Sequence, residues 1–236
     1  MVRLLVLAGG FGTRLRSAVA EVPKPLAPVN GRPYLQYLIE SWVEQGVSEL
    51  TFLLHYQAEM IADFLLAQQR TGSLGGCALK TVVEPRPLGT GGAIAFAVRE
   101  LKMAGTFLVA NADTWIGSGI QQLVLSDAPS MAAVKVENSE RYGSVQIENN
   151  KVVTFKEKQE STGPGWINAG LYHLDCSAFQ RWNGEPYSVE RDLFPFLADS
   201  RQLNAVALST DFIDIGIPQD YFRFCRWIES GKTGEL

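Results

Sequence analysis

The chain has 236 residues, 46% of them apolar, which is enough to build and bury one large α/β domain. Its formal net charge of -4 excludes a general affinity for nucleic acid, because no basic excess is available to displace counterions from a phosphate backbone, so anionic ligands must be met locally. Cys77, Cys176 and Cys225 are odd in number and lack C-x-x-C spacing, no basic-then-apolar leader opens the sequence, and no apolar run approaches membrane-spanning length; neither a disulfide framework nor a zinc site nor a membrane anchor is indicated, and a cytoplasmic enzyme is expected.

The apolar run 2–7 reads as a fully buried strand, and it opens into LAGGFGTRLRSAVAEVPK, residues 7–24. Gly9, Gly10 and Gly12 leave backbone N–H groups unshielded there, while Arg14 and Lys24 add fixed positive charge. That combination suits several phosphates at once and suggests a nucleoside triphosphate. Two better-known phosphate loops do not fit. The dinucleotide pattern G-x-G-x-x-G matches Gly10 and Gly12 but then meets Leu15, and a Walker loop at Gly231-Lys232-Thr233 would need glycine where Arg226 stands.

Residues 33–45 carry Leu35, Leu38, Ile39 and Trp42 at helical spacing, and Gly46 stops that helix. A strand at 49–54, a helix at about 57–69 and a strand at 78–83 follow. Residues 84–92, EPRPLGTGG, form a second proline- and glycine-rich rim before a helix from about 93 to 101. The strand 106–110 ends in Asn111-Ala112-Asp113, so three loops are expected at the carboxyl edge of one sheet. Beyond it, 131–136, 142–147, 151–156 and 167–174 are strand-like with short turns between them. Residues 188–197 read as helical despite Pro195, 203–208 as a strand, and 212–216 lead into a closing helix at about 218–229. The expected fold is α/β: a Rossmann-like, doubly wound, mostly parallel mixed sheet with a small β-rich extension, in one domain.

Leu7-Ala8-Gly9-Gly10 with Gly12-Thr13-Arg14 and Pro23-Lys24-Pro25 resembles the signature of the sugar-1-phosphate nucleotidylyltransferases. The resemblance continues in order through Pro87-Leu88-Gly89-Thr90, Asn111-Ala112-Asp113, Tyr142-Gly143, Glu157-Lys158, Ile167-Asn168-Ala169-Gly170 and Phe212-Ile213-Asp214-Ile215-Gly216-Ile217-Pro218. Within that family LGTGGAI, SVERDLFP and FIDIGIPQDY look most like the D-glycero-D-manno-heptose 1-phosphate guanylyltransferases, which make a GDP-activated heptose for bacterial surface polysaccharides. Uridylyltransferases for N-acetylmuramic acid 1-phosphate and guanylyltransferases for mannose 1-phosphate share the phosphate and metal motifs.

The resemblance implies a nucleotide-diphospho-sugar transferase fold, with a nucleotide-binding part over about 1–115 and a sugar-binding part over about 116–236. It implies that a sugar 1-phosphate oxygen attacks the α-phosphorus of a triphosphate, GTP in the best match, and that pyrophosphate leaves. That nucleophile is already an anion, so cations matter more than a general base. Arg14 is expected on the β and γ phosphates and Lys24 near the reacting phosphates, with Leu7, Ala8, Gly9, Gly10, Gly12, Thr13, Gly89 and Thr90 around the nucleotide. Asp113 and Asp214 are the expected Mg²⁺ ligands, and Gly143, Glu157, Lys158, Asn168 and Gly170 the sugar contacts. The chain departs from the family pattern at Ala112, where glycine is usual, and at Gln159, where proline is. The last helix crowds Tyr221, Phe222, Phe224, Cys225 and Trp227 together, from which a homodimer is expected.

Overall fold

The computed structural model describes residues 1–19, 21–72, 74–157 and 163–232. Its elements in chain order are β1 (Arg3–Leu7), β2 (Pro28–Val29), β3 (Arg32–Pro33), α1 (Tyr34–Glu44), β4 (Glu49–Leu54), α2 (Ala58–Arg70), β5 (Ala78–Val83), α3 (Gly89–Glu100), β6 (Thr106–Asn111), β7 (Thr114–Ile116), α4 (Ile120–Val124), β8 (Ser130–Val136), β9 (Ser144–Glu148), β10 (Lys151–Lys156), β11 (Gly165–Asp175), α5 (Phe194–Asp199), β12 (Asn204–Leu208), β13 (Phe212–Asp214) and α6 (Pro218–Glu229). They group into two units of interleaved chain. One holds Met1–Pro85, Asn111–Ser118 and Asp211–Leu236, the other Arg86–Ala110 and Gly119–Thr210. No helix among the described residues is long and apolar enough to cross a membrane.

The first unit is a parallel alternation of strand and helix. β4 pairs in parallel with β1 and with β5, Leu5 lying opposite Thr51 and Leu53 opposite Val82. Parallel strands are covered on both faces by their crossover helices, which is why Leu4, Leu5 and Val6 of β1 and Leu50, Phe52, Leu53 and Leu54 of β4 are all buried. Strands that run the same way put their carboxyl ends on one edge, and the glycine loop leaves β1 there. α1 buries Tyr34, Leu35, Leu38, Ile39 and Trp42 as one helical stripe. Phe224 of α6 packs on Tyr34, with ring centroids 4.9 Å apart, and on Trp115 at 5.6 Å. The apolar surface expected to support self-association is therefore largely used inside the unit: Tyr221, Phe224 and Trp227 are buried, and Phe222 stays half exposed.

In the second unit the strands run in the order β6-β11-β8-β12-β10-β9. β8 and β12 pair in parallel, and the remaining steps are antiparallel. The parallel character expected of the sheet thus belongs mainly to the first unit. β11 shifts register between Asn168 and Tyr172, where Gly170 has φ +72°, so the strand bulges at the residues expected to meet the sugar. The helix expected from about 93 begins at Gly89 instead. Its extra turn is stabilised by Tyr187, whose carbonyl accepts from the N–H groups of Gly91 (3.0 Å) and Gly92 (3.3 Å). A side chain at Gly91 would overlap the Tyr187 ring, so these glycines serve close packing as much as flexibility.

The helix expected over 188–197 is divided. Val189–Leu193 forms a single π turn, and α5 starts at Phe194 with Pro195 in its first turn, where its missing N–H costs nothing. β2, β3, β7 and α4 were not anticipated, being too short to show a period in sequence.

Candidate active site

The glycine loop begins one residue later than its motif suggests. Ala8 N–H donates to Leu53 O (3.0 Å) and Leu7 O accepts from Ala112 N–H (3.1 Å), so these two residues still belong to hydrogen-bonded backbone. Gly9 O still accepts from Tyr56 N–H (3.4 Å), and the Gly9 N–H is the first that makes no backbone hydrogen bond among the described residues. Gly12 has φ +60°, and a Cβ there would lie 3.1 Å from Lys24 Cβ, so a larger residue would strain the turn and press on the lysine. Thr13–Leu15 then makes a 3-10 turn that buries Leu15 and leaves Thr13 and Arg14 exposed. Among the described residues Arg14 makes no hydrogen bond or ion pair, which leaves its guanidinium fork available to an anion.

The loop borders a cavity of about 340 Å³, lined by Leu7, Ala8, Gly10, Phe11, Gly12, Thr13 and Arg14 together with Lys24, Pro25, Ala112, Asp113 and Gly216. Lys24 starts a 3-10 turn, Lys24–Leu26, behind an extended Pro23. Its side chain is only 9% exposed, and Nζ donates to Asp113 Oδ2 at 2.7 Å and to Asp214 Oδ1 at 3.4 Å. The meeting of two aspartates so distant in sequence comes from a short ladder: β13 pairs antiparallel with β7, and Asp214 lies opposite Thr114.

Each carboxylate is fixed by a local donor. Thr114 Oγ1 donates to Asp113 Oδ1 at 3.1 Å, and Gly216 N–H donates to Asp214 Oδ1 at 2.6 Å. Burial pushes the Asp214 carboxyl above its ordinary value, repulsion from Asp113 adds to this, and Lys24 and the Gly216 N–H oppose it. Tyr34 is fully buried, with no hydrogen-bond partner for its hydroxyl among the described residues; burial, then Asp113, then Asp214 push its pKa up. Two carboxylates, Asp214 largely buried and Asp113 partly exposed, that repel each other and converge on one cation are an arrangement built for positive charge. Oxygen ligands in that number suit Mg²⁺, which typically takes one or two carboxylates and completes its shell with phosphate oxygens and water. Among the described residues no cluster of three or more His, Cys, Asp or Glu side chains forms a self-sufficient metal centre.

Two neighbours of the loop escaped the sequence reading. Glu84, at the end of β5, is 8% exposed, and its Oε1 lies 3.0 Å from where a Cβ on Gly9 would sit. Phe11 is half exposed beside the cavity, edge-on to His55 at 6.0 Å and tilted against Tyr56 at 5.4 Å. Neither belongs to a spaced motif. Glu84 reads in sequence as a loop charge and Phe11 as an apolar residue among glycines.

The second unit gathers the residues expected to meet the sugar. Asn168 N–H donates to Gly143 O at 2.8 Å, and a Cβ on Gly143 would be 3.3 Å from Glu157 Oε2. Asn168 Oδ1 accepts from Gly170 N–H at 2.9 Å and Asn168 Nδ2 donates to Tyr172 OH at 2.8 Å. The amide is therefore held in one orientation by its own strand, with one N–H and one lone pair still to offer. Lys158 lies outside the described residues. Gly89 and Thr90 head α3, and the Thr90 hydroxyl is already engaged: it donates to Glu190 Oε2 at 2.5 Å, with Ser188 Oγ a weaker acceptor at 3.4 Å, and it accepts from Val189 N–H at 3.0 Å. Its backbone is what remains for a ligand.

The sequence profile described as nucleotidyl transferase matches residues 3–230. The D-glycero-alpha-D-manno-heptose 1-phosphate guanylyltransferase of Campylobacter jejuni is 33% identical, over 94% of this chain and 98% of its own length. A probable mannose-1-phosphate guanylyltransferase of Oryza sativa is 34% identical over 93% of this chain, which spans 63% of that protein. Among solved structures, HddC from Yersinia pseudotuberculosis complexed with GMP-PN gives a TM-score of 0.82 at 31% identity, covering 97% of this chain and 100% of that one. A putative glucose-1-phosphate thymidylyltransferase from Bacillus anthracis shares the fold, with a TM-score of 0.81 at 18% identity over 96% of this chain and 94% of that one.

Proposed function

The chain belongs to the nucleotidyl transferase family, and on that premise we propose that it transfers a guanylyl group from GTP to D-glycero-D-manno-heptose 1-phosphate, giving GDP-heptose and pyrophosphate. The observation that carries the reading is Lys24 held between Asp113 and Asp214 beside the glycine-loop cavity. The acceptor and the nucleotide follow the Campylobacter jejuni relative, which the chain matches over nearly its whole length.

The reaction joins two polyanions, so its barrier is lowered by placing cations where charge gathers and by holding the reactants in line. Arg14, exposed and unpaired among the described residues, binds the β and γ phosphates bidentately, and the N–H groups of Gly9, Gly10, Gly12 and Thr13 cradle the chain of phosphates. Lys24 offsets repulsion between the sugar phosphate and the α-phosphate. Asp113 and Asp214 would hold a Mg²⁺ ion, which would neutralise triphosphate charge. Leu7, Ala8, Gly89 and Thr90 contact the nucleoside through backbone groups. In the second unit Gly143, Glu157, Lys158, Asn168 and Gly170 bind the sugar, Glu157 as an acceptor of hydroxyl hydrogens. The functional division follows the sequence, with nucleotide binding over about 1–115 and sugar binding over about 116–236, and Asp214 is the exception.

A mannose 1-phosphate acceptor is the second reading, supported by the Oryza sativa relative. The discriminating experiment is a panel of GTP, UTP, CTP and ATP against heptose, mannose and N-acetylmuramic acid 1-phosphates, scored by pyrophosphate release. GTP with the heptose phosphate is expected to turn over at least about tenfold faster than any other pair, the discrimination a few polar contacts supply. Faster turnover of another pair would transfer the assignment to that pair, and tight nucleotide binding with no pyrophosphate from any pair would make the chain a nucleotide-binding module.

A further inference from the structure

Glu190 lies in the SVERDLFP stretch but carries no role in the site described above, and the structure gives it an unusual set of partners. A single oxygen, Oε2, accepts from Thr90 Oγ1 at 2.5 Å and from Ser188 Oγ at 2.6 Å. Thr90 Oγ1 in turn accepts from the Val189 N–H at 3.0 Å, so Thr90, Glu190 and the 188–189 backbone close a small ring. The ring fastens one segment of chain to the start of α3. Tyr187 N–H donates to Leu88 O at 3.0 Å, and Tyr187 O accepts from Gly91 and Gly92. A Cβ on Gly89 would stand 2.5 Å from Tyr187 O, so the segment lies directly on helix backbone.

The same segment then makes the π turn Val189–Leu193, with Ser188 as its cap: Ser188 Oγ accepts from Arg191 N–H at 3.3 Å and Ser188 N–H donates to Asp192 Oδ2 at 2.7 Å. Single π turns are costly to form and recur near functional sites. Here the turn delivers the Glu190 carboxylate to a threonine hydroxyl that is itself in the first turn of α3.

A helix leaves its first four N–H groups without partners in its own backbone. In α3 the groups of Gly91 and Gly92 are taken by Tyr187 O, while those of Gly89 and Thr90 carry no hydrogen bond among the described residues. Because the Thr90 side chain is tied through Glu190, the direction of its N–H is fixed. Two oriented backbone donors of this kind suit an oxygen acceptor such as a carbonyl of a nucleoside base.

We propose that Glu190 is a positioning residue for the nucleotide: it acts through Thr90, holding the N–H groups of Gly89 and Thr90 where a base or ribose oxygen meets them. The proposal rests on the reading that Gly89 and Thr90 contact the nucleotide. Its substance is the hydrogen-bond ring, not the charge of Glu190, because a glutamine oxygen at the same place accepts both hydroxyl hydrogens.

The test is steady-state kinetics with GTP and heptose 1-phosphate for Glu190→Ala, Glu190→Gln, Thr90→Val and Thr90→Ser, each with its thermal unfolding curve. In Glu190→Ala the KM for GTP is expected to rise about tenfold, with kcat within about twofold and the KM for the sugar phosphate unchanged, as follows from loosening short, carboxylate-accepted hydrogen bonds. Glu190→Gln should stay near wild type, and Thr90→Ser, which keeps the hydroxyl, should recover most of the GTP affinity lost in Thr90→Val. The Glu190→Ala, Thr90→Val double variant should be no worse than either single one, since both open the same ring. A lowered unfolding temperature with an unchanged KM for GTP would reduce Glu190 to a structural clamp, and a glutamine variant as impaired as alanine would overturn the ring argument. If Glu190→Ala does not fold, the contrast between Thr90→Ser and Thr90→Val carries the test. Failure of the parent reading looks different: wild-type protein would then release no pyrophosphate from GTP at all.

Discussion

At Lys24 one ammonium faces two carboxylates, and the balance of three charges sets both the stability and the use of the site. Burial and the charge of Asp113 raise the Asp214 carboxyl, and these outweigh the pull of Lys24. An ionised Asp214 therefore costs folding free energy in return for a place to hold a cation. Asp214→Asn removes the buried charge and its repulsion while the amide oxygen can still accept from Gly216 N–H, and Lys24 keeps its shorter bond to Asp113. The variant is expected to melt about 2–4 °C higher than wild type, the shift roughly 1 kcal/mol makes in a chain of this size. Millimolar Mg²⁺ with GTP should raise the melting temperature of wild type by more than that of the variant, which keeps the glycine loop, Arg14 and Asp113. Scanning calorimetry reads both, and a variant that melts lower than wild type would show that the Lys24 pairing, not desolvation, governs Asp214.

Between elements, the tie most open to measurement joins α6 to the hairpin of β2 and β3: Tyr221 OH donates to Pro28 O. Burial, and after it Cys225, pushes the Tyr221 phenol up to about 12 from an ordinary 10.0. The folded state thus favours the neutral phenol, so the contribution of Tyr221 to stability is complete below pH 10 and is lost as the pH rises toward about 12. Tyr221→Phe should unfold at lower denaturant than wild type at pH 8, by about 1 kcal/mol, the worth of one such hydrogen bond. The gap should close over the alkaline window; a gap that persists unchanged at pH 12 would mean the phenol is not what the pH acts on. Elements of this kind show how far sequence reaches. β1, β4, β5 and α1 were legible because apolar runs and helical stripes repeat within a few residues. The start of α3 was not, because Gly89 to Gly92 look like loop residues until Tyr187, far along the chain, caps them. For the same reason no role for Glu190 shows in the sequence: its hydroxyl partner Thr90 is 100 positions away. Lys24 shows as a loop charge and Asp113 as the end of a buried strand, but Asp214 is marked only by the family pattern around it, and nothing in the spacing of the three discloses the β7–β13 ladder that brings the aspartates together.

For the whole chain, a net charge of -4 must coexist with two polyanionic substrates, and attraction has to come from a few placed cations rather than from a general field. The first unit concentrates them. Its early loop brings Arg14 and Lys24, and the stretch from Asp211 onward returns to the same unit carrying Asp214. In the proposed function this set supports metal-dependent nucleotidyl transfer. The most direct measurement is pyrophosphate release from GTP and heptose 1-phosphate by wild type and Asp113→Asn, each with Mg²⁺ and with excess chelator. Wild type is expected to require Mg²⁺, and Asp113→Asn to lose at least about a hundredfold in kcat while unfolding near the wild-type temperature, the scale on which one positioned electrostatic group acts. Wild-type turnover by Asp113→Asn in Mg²⁺, or undiminished turnover of the wild type in chelator, would contradict the claim.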